Sequence, residues 1–282
     1  MSRVAIRSTE PRAGGRSTSA DYLRTIGVRE LRPATSPFDP GYDALTLRSH
    51  LDQSAHLMAT LKISMACWMI ADESSVRQKT ADARAAGVPT VAGGGPFEIA
   101  CERNALPEYL DLCADVGFAR VESAEGFTSL SESPAQIVAM ASERGLEVEF
   151  ELGEKHAGAF HAGEVARLIR DGHEWLDAGA RRLVVEARES ARDVGLFATD
   201  GRFDTSLAER FVDAFGFERV VFEAPLKESQ FAMMEHFGPS VQLSNVRLEE
   251  LLRVEIFRRG LHSDAYGIEA LRPPGPGASR SK

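Results

Sequence analysis

"RRLVVEARES", Arg181 to Ser190, is the stretch on which the fold turns. Leu183, Val184 and Val185 are a short β-branched apolar run, suited to a strand buried on both faces. The chain passes from them straight to Glu186, Arg188 and Glu189. A buried strand whose carboxyl end carries charge asks whether its neighbours do the same. Seven other runs resemble it: Leu23–Val28, His56–Ser64, Pro89–Ala92, Ala119–Glu122, Glu147–Leu152, Arg219–Glu223 and Val241–Ser244, with Arg182–Glu186 sixth in order. Between them lie amphipathic stretches such as "LPEYLDLCADVG" and "SPAQIVAMASERG", ending in glycine as helices do. Ser133-Pro134 reads as an N-cap with proline at the first helical position.

Strands alternating with helices build a parallel sheet. Eight such units in about 250 residues fit a (β/α)8 TIM barrel better than an open doubly wound sheet. The glycine signatures of dinucleotide and P-loop sites are missing. The expected organisation is a barrel over 21–268 between disordered tails at 1–20 and 269–282, both rich in Ser, Gly, Pro or Arg.

Composition narrows the function. Of 282 residues, 43% are hydrophobic and 27% charged, the balance of a globular chain. A net charge of -9 disfavours nucleic acid as a partner. No apolar run reaches membrane-spanning length, and the N-terminus has no hydrophobic signal core. Three cysteines, without a CxxC pair, point to a reducing compartment and against a thiolate zinc site. A cytoplasmic homo-oligomer is expected.

Active sites of such barrels lie at the carboxyl ends of the strands. Read there in order, the chain offers Lys62, then Gly93, Gly94, Gly95 and Glu98, then Glu122, then Glu151 and Lys155. Glu186, Arg188 and Glu189 follow, then Glu223, then Asn245. The charges of the opening stretch are one sector of a ring. Carboxylates crowded at one mouth repel unless a cation sits among them. Oxygen ligands without Cys or clustered His suit a hard ion, so Glu122, Glu151, Glu186 and Glu223 are candidate Mg2+ ligands. The glycine run allows backbone N–H groups to approach an anion, making Gly93 and Gly94 candidate contacts to a small anionic substrate. Asn245 is a third. Arg258 and Arg259 either cap the last helix or reach a phosphate from the barrel's closing end. His156 and His161 read as surface residues. Of Glu149, Glu151 and Glu154, at least one must face away from the pore, because strand side chains alternate.

The motifs "GGGPFEIA", "GFARVESAEG", "ELGEK", "DAGARRLVVEARES", "VVFEAP", "FGPSVQLSNV" and "LEELLRVEIFRRGLHSDAYG" together resemble the phosphosulfolactate synthase family, with its plant heat-stress-associated relatives. The resemblance runs from Lys62 to Gly267. It implies a (β/α)8 barrel and Mg2+-dependent addition of sulfite to phosphoenolpyruvate. Lys155 matches the lysine proposed in the family as general acid, with a pKa expected to be lowered by nearby cations. Lys62, Arg188 and the other arginines would bind phosphate, carboxylate or sulfite. One departure stands out: the family's first strand ends in Asp-Lys-Gly, whereas "TIGVRELRPATSPFDP" has no such turn. Arg29 or Arg32 would then replace the lysine, and Glu30 the aspartate. Glu154 also stands where a second lysine is typical. A paralogue with another nucleophile or enol phosphate, and a non-catalytic scaffold, are the alternatives; the retained ring argues against the scaffold.

Overall fold

The computed structural model describes residues 18–272. Eight parallel strands close into a barrel in chain order: β1 Thr35–Asp39, β2 Leu61–Ile63, β3 Thr90–Ala92, β4 Arg120–Ala124, β5 Glu147–Leu152, β6 Arg182–Val185, β7 Val220–Glu223 and β8 Leu243–Arg247. The helices are α1 Thr18–Thr25, α2 Ala44–Ser54, α3 Cys67–Ile70, α4 Glu73–Ala85, α5 Gly95–Glu102 and α6 Leu106–Val116. They continue with α7 Pro134–Glu143, α8 Ala162–Ala178, α9 Thr205–Phe215, α10 Lys227–Phe237 and α11 Leu251–Arg258. The barrel unit begins at Leu31. Residues 1–17 and 273–282, most of the two expected tails, lie outside the described residues, whereas Leu271 is buried in the core.

The strand β5 explains how charge and core share one element. Val148, Phe150 and Leu152 turn outward to the helices, where Phe150 stacks on Trp175 of α8 with ring centroids 4.2 Å apart. Glu149 and Glu151, on the alternate face, turn into the barrel at two levels. The same outward packing recurs at β7, where Phe222 stacks on Phe237 of α10 at 5.7 Å. Low in the barrel, at the amino ends of the strands, Glu149 is gripped by two arginines. Arg120 reaches it at 2.9 Å and Arg182 at 2.8 Å, and Arg182 also donates to the Thr60 hydroxyl at 2.9 Å. The inner charges of the lower barrel are thus partnered by one another.

Seven strands fall on the expected runs. The first does not: Leu23–Val28 is not a strand, the chain forming α1 over Thr18–Thr25 instead, and β1 is Thr35–Asp39. Proline hides this strand, since Pro37 cannot donate to a ladder and argues against a central strand. The barrel accommodates it with an irregularity in the β1–β8 register between Thr35 and Pro37. The correction changes the reading of the first turn. The carboxyl end of β1 is Asp39-Pro40-Gly41, so the aspartate and glycine of the family turn are present and a single position differs. Asp39, not Glu30, holds the acidic place, and Lys79 of α4 pairs with it in the interior at 2.8 Å.

Candidate active site

At the other end of the barrel the strands deliver four buried carboxylates and two lysines. Lys62 from β2 lies 2.7 Å from Glu122 of β4 and 3.6 Å from Glu223 of β7. Lys155, just beyond β5, lies 2.5 Å from Glu151 and 2.9 Å from Glu186. Each ammonium bridges two carboxylates, and the two bridges together line the floor of a cavity of about 940 Å3. With all groups ionised, the floor carries two more negative charges than positive. The side chains are placed by backbone: Ala187 N–H donates to Glu223 at 2.9 Å, Arg188 N–H to Glu186 at 2.5 Å, and Asn245 to Glu223 at 2.5 Å. Arg188 and Asn245 both hold left-handed backbone, φ 52° each, unusual for side-chain-bearing residues and a sign of strain at the rim.

This crowding shows in the proton affinities. Burial, then the charge of Glu186, pushes Glu151 well above the ordinary glutamate range. Burial, then Glu223, raises Glu186. Burial raises Glu223 against the pull of Lys62. Glu122 alone is lowered: burial opposes its charge, but Lys62 outweighs burial. Burial works to lower Lys155, yet Glu151 and Glu186 more than reverse it, so its pKa is raised rather than lowered as expected. Lys62 behaves likewise through Glu122 and Glu223. Among the described residues no three His, Cys, Asp or Glu side chains converge on a point able to hold a metal ion.

The expected site residues Lys62, Glu122, Glu151, Lys155, Glu186, Arg188, Glu223 and Asn245 are brought together in this one mouth. Gly93 and Gly94 also line it, but their N–H groups are already engaged, by Ile63 carbonyl at 3.4 Å and by Glu122 at 3.1 Å. A Cβ on Gly93 would come within 2.9 Å of the Met65 backbone nitrogen, so the glycine serves close strand-loop packing rather than an anion cradle. Arg258 and Arg259 are not at the mouth. Arg258 is buried at the amino end of the barrel, donating to Pro239 and Val241 carbonyls at 2.7 and 2.8 Å and to Thr35 hydroxyl at 3.0 Å. Arg259 pairs with Glu255 one turn earlier on α11. Neither can meet a ligand held over the carboxyl ends. Glu154 is exposed and pairs with Arg167, and His161 caps α8 by accepting from Glu164 N–H at 3.1 Å.

One contributor was not foreseen, and Glu98, read from the sequence as part of the strand-end ring, does not line the cavity itself. Arg247, at the end of β8, lines the cavity beside Phe38. Glu98 acts at a distance: fully buried, it accepts from Phe127 and Thr128 N–H at 2.8 and 3.0 Å and so fixes the loop after β4. Gly126 in that loop accepts from Lys155 N–H at 3.0 Å, and a Cβ there would sit 3.0 Å from the Lys155 stem. The lysine lies across a backbone kept bare for it. No helix among the described residues is long and apolar enough to cross a membrane.

Comparison with known proteins bears on this arrangement. The model of the (2R)-phospho-3-sulfolactate synthase (ComA) family matches residues 31–264. Over 237 residues the chain is 28% identical to the phosphosulfolactate synthase of Methanocaldococcus jannaschii, covering 84% of this chain and 94% of that protein. It is 27% identical over 234 residues to the phosphosulfolactate synthase of Methanothermobacter thermautotrophicus, covering 83% and 91%. Among solved structures, the carboxyl transferase domain of Rhizobium etli pyruvate carboxylase superposes with a TM-score of 0.57 at 11% identity, over 94% of this chain and 51% of that one, a likeness of fold alone.

Proposed function

Since the chain belongs to the phosphosulfolactate synthase family of enzymes, we propose that it adds sulfite to phosphoenolpyruvate, with Mg2+ as cofactor, to give phosphosulfolactate. The observation that carries this reading is the floor of the mouth: four buried carboxylates, two bridging lysines and an unbalanced negative charge. In the reaction the sulfite sulfur bonds to the methylene carbon of the enol phosphate. The π pair moves to the neighbouring carbon and spreads into its carboxylate. That carbon then takes one proton, and the phosphate ester stays intact. The protein must therefore gather two anions, stabilise charge arriving on a carboxylate, and deliver one proton to one face.

The donor set fits a hard divalent ion in a particular way. Mg2+ commonly takes one or two carboxylates and completes its shell with substrate and water, so three converging protein ligands are not required. Glu151 and Glu186 would hold it, since both are raised by burial and by a neighbouring carboxylate, Glu186 acting on Glu151 and Glu223 on Glu186, while Glu122 is already matched by Lys62. Bound there, the ion supplies Lewis-acid stabilisation of the developing carboxylate charge. Lys62, fixed between Glu122 and Glu223, offers the substrate carboxylate a buried positive charge. Lys155 is the proton donor. In the resting site Glu151 and Glu186 keep it protonated, and neutralising those two carboxylates is what loosens the proton. Arg188, exposed at the rim, attracts the incoming anion. The reading includes a small anionic substrate and a cytoplasmic homo-oligomer that engages neither nucleic acid nor membrane.

The test is turnover of purified protein with phosphoenolpyruvate, sulfite and Mg2+, with EDTA and Lys155→Ala as controls. EDTA-sensitive phosphosulfolactate, lost in the variant, is expected; wild-type protein that binds Mg2+ yet forms no product would overturn the sulfite reading. Pro40, standing where the family turn has lysine, favours one second reading, the same addition with a different nucleophile or enol phosphate. A panel of both reactants on the same protein separates the two.

A further inference from the structure

Four cations line the mouth: Lys62, Lys155, Arg188 and Arg247. The two lysines are each committed to a pair of floor carboxylates. Arg188 places one terminal nitrogen on the Lys155 carbonyl at 3.1 Å. Arg247 differs in being anchored from behind. Its Nε donates to Glu249 at 2.6 Å, and its guanidinium lies over the Phe38 ring, 5.8 Å from the centroid. The other oxygen of Glu249 accepts from the Tyr42 hydroxyl at 2.5 Å. Tyr42 is itself held at its backbone N–H by Asp39 at 2.6 Å, and Asp39 by Lys79 at 2.8 Å. A chain of bonds therefore runs from the buried end of β1 to the Nε edge of one rim arginine. Tyr42 also touches the Arg247 side chain from behind, while that side chain lines the cavity and stays 46% exposed. A guanidinium held at one edge and open at the other is a fork for two oxygens of one anion.

We propose that Arg247, set by Glu249, Tyr42 and Phe38, is the subsite for the phosphate of a phosphorylated substrate. The inference rests on the function proposed above and deepens it by giving the ester an orientation. The carboxylate and the reacting carbons lie toward Lys62 and Lys155. A phosphate placed there as well would meet four carboxylates. Directed to the β8 edge, it leaves the acidic floor and meets the fork. Glu249 cancels only part of the arginine's charge, because the pair is 46% and 41% exposed and screened by solvent.

The experiment uses the full chain as wild type, Arg247→Gln, Arg247→Lys and Tyr42→Phe. Binding of inorganic phosphate is measured by calorimetry, and KM for phosphoenolpyruvate and for sulfite by steady-state kinetics. Arg247→Gln is expected to weaken phosphate binding and raise KM for phosphoenolpyruvate about tenfold to a hundredfold. Its kcat and its KM for sulfite should stay within about twofold of wild type. Arg247→Lys restores part of the loss, a point charge without the fork, and carries the test if the glutamine variant does not fold. Tyr42→Phe, which frees Glu249, costs a few-fold in the same KM. Arg247→Gln that binds inorganic phosphate as tightly as wild type overturns the subsite, as does a fall in kcat with KM unchanged. A wild type that binds phosphate through Arg247 but does not combine phosphoenolpyruvate with sulfite supports the subsite and defeats the reaction, so the two failures are told apart.

Discussion

The barrel holds two clusters of buried charge, one above the other, and they are built on opposite plans. In the lower cluster Glu149 lies between Arg120 and Arg182, and Arg182 goes on to the Thr60 hydroxyl. Its groups satisfy one another. In the upper cluster three of four carboxylates have their pKa pushed up, burial first and neighbouring charge after it. Burying charge is costly in both places. The lower cluster recovers the cost within the protein. The upper one leaves it standing, and a cationic ligand is what would remove it. A charge cluster at strand ends is therefore read for function by its imbalance rather than by its number of charges.

Four outcomes would sharpen or break that contrast. The largest is expected at Lys155: replacement by Ala should lower kcat by about 10^2 to 10^4, the usual worth of a positioned proton donor. A loss under about tenfold in stopped turnover would take the proton away from this lysine. Next comes Glu149→Ala, which leaves two arginines facing each other in the interior and should cost about 3–5 kcal/mol in denaturant unfolding. Glu186→Gln should cost far less, because it relieves repulsion. Equal losses in the two variants would erase the distinction drawn here. Third, Mg2+ should raise the stability of the wild type by about 2.7 kcal/mol at a concentration a hundred times its Kd. The gain should vanish in the Glu151→Gln, Glu186→Gln double variant, and a thermal shift that survives there would move the metal elsewhere.

The smallest effect is one of pH on metal-free protein. Glu151, Glu186 and Glu223 have folded pKa values above the ordinary 4.5, so in that window the folded chain binds more protons than the unfolded one. Their contribution is fully present below the ordinary value and is lost as pH rises through the raised ones, whereas Glu122, whose pKa is lowered, contributes above the ordinary value and loses that only as pH falls. The unfolding midpoint should therefore fall as pH rises from the ordinary glutamate value through the raised ones, and saturating Mg2+ should flatten the slope. A midpoint that climbs across the same interval would mean that the upper ring is as well matched as the lower cluster.

Much of the site was legible because a parallel barrel converts position along a strand into position in space. Once Glu122, Glu151, Glu186 and Glu223 each end a β-like run, they must share one mouth. What failed did so for identifiable reasons. β1 carries Pro37 and no apolar alternation, so Leu23–Val28 looked more like a strand than Thr35–Asp39 did. With β1 misplaced, Asp39 was taken for loop and the first turn seemed wholly altered. Arg258 and Arg259 have local sequence that says "helix end" but nothing that says which end of the barrel that helix returns to. Arg247 was missed because β8 extends to it, past the apolar run by which the strand was recognised. Glu149 and Glu151 alternate in phase and so share a face; their difference in height, which separates a structural charge from a functional one, appears only with the arginines in place.

The arginine that proved not to touch a ligand has a consequence of its own. Arg258 ties Thr35, 223 residues earlier in the chain, to the residues that enter β8. It is a clasp across the one seam where the first strand meets the last. On a ribosome, β1 emerges early and stands with an unpaired edge while the next seven strands are made. The seam cannot be locked until α11 has been synthesised, almost at the end of the barrel. Contacts of such long sequence separation are the slow ones in folding. Closure of the barrel therefore waits on nearly the whole chain, and the β1 edge that pairs with β8 in the finished barrel is the one left without its partner until then.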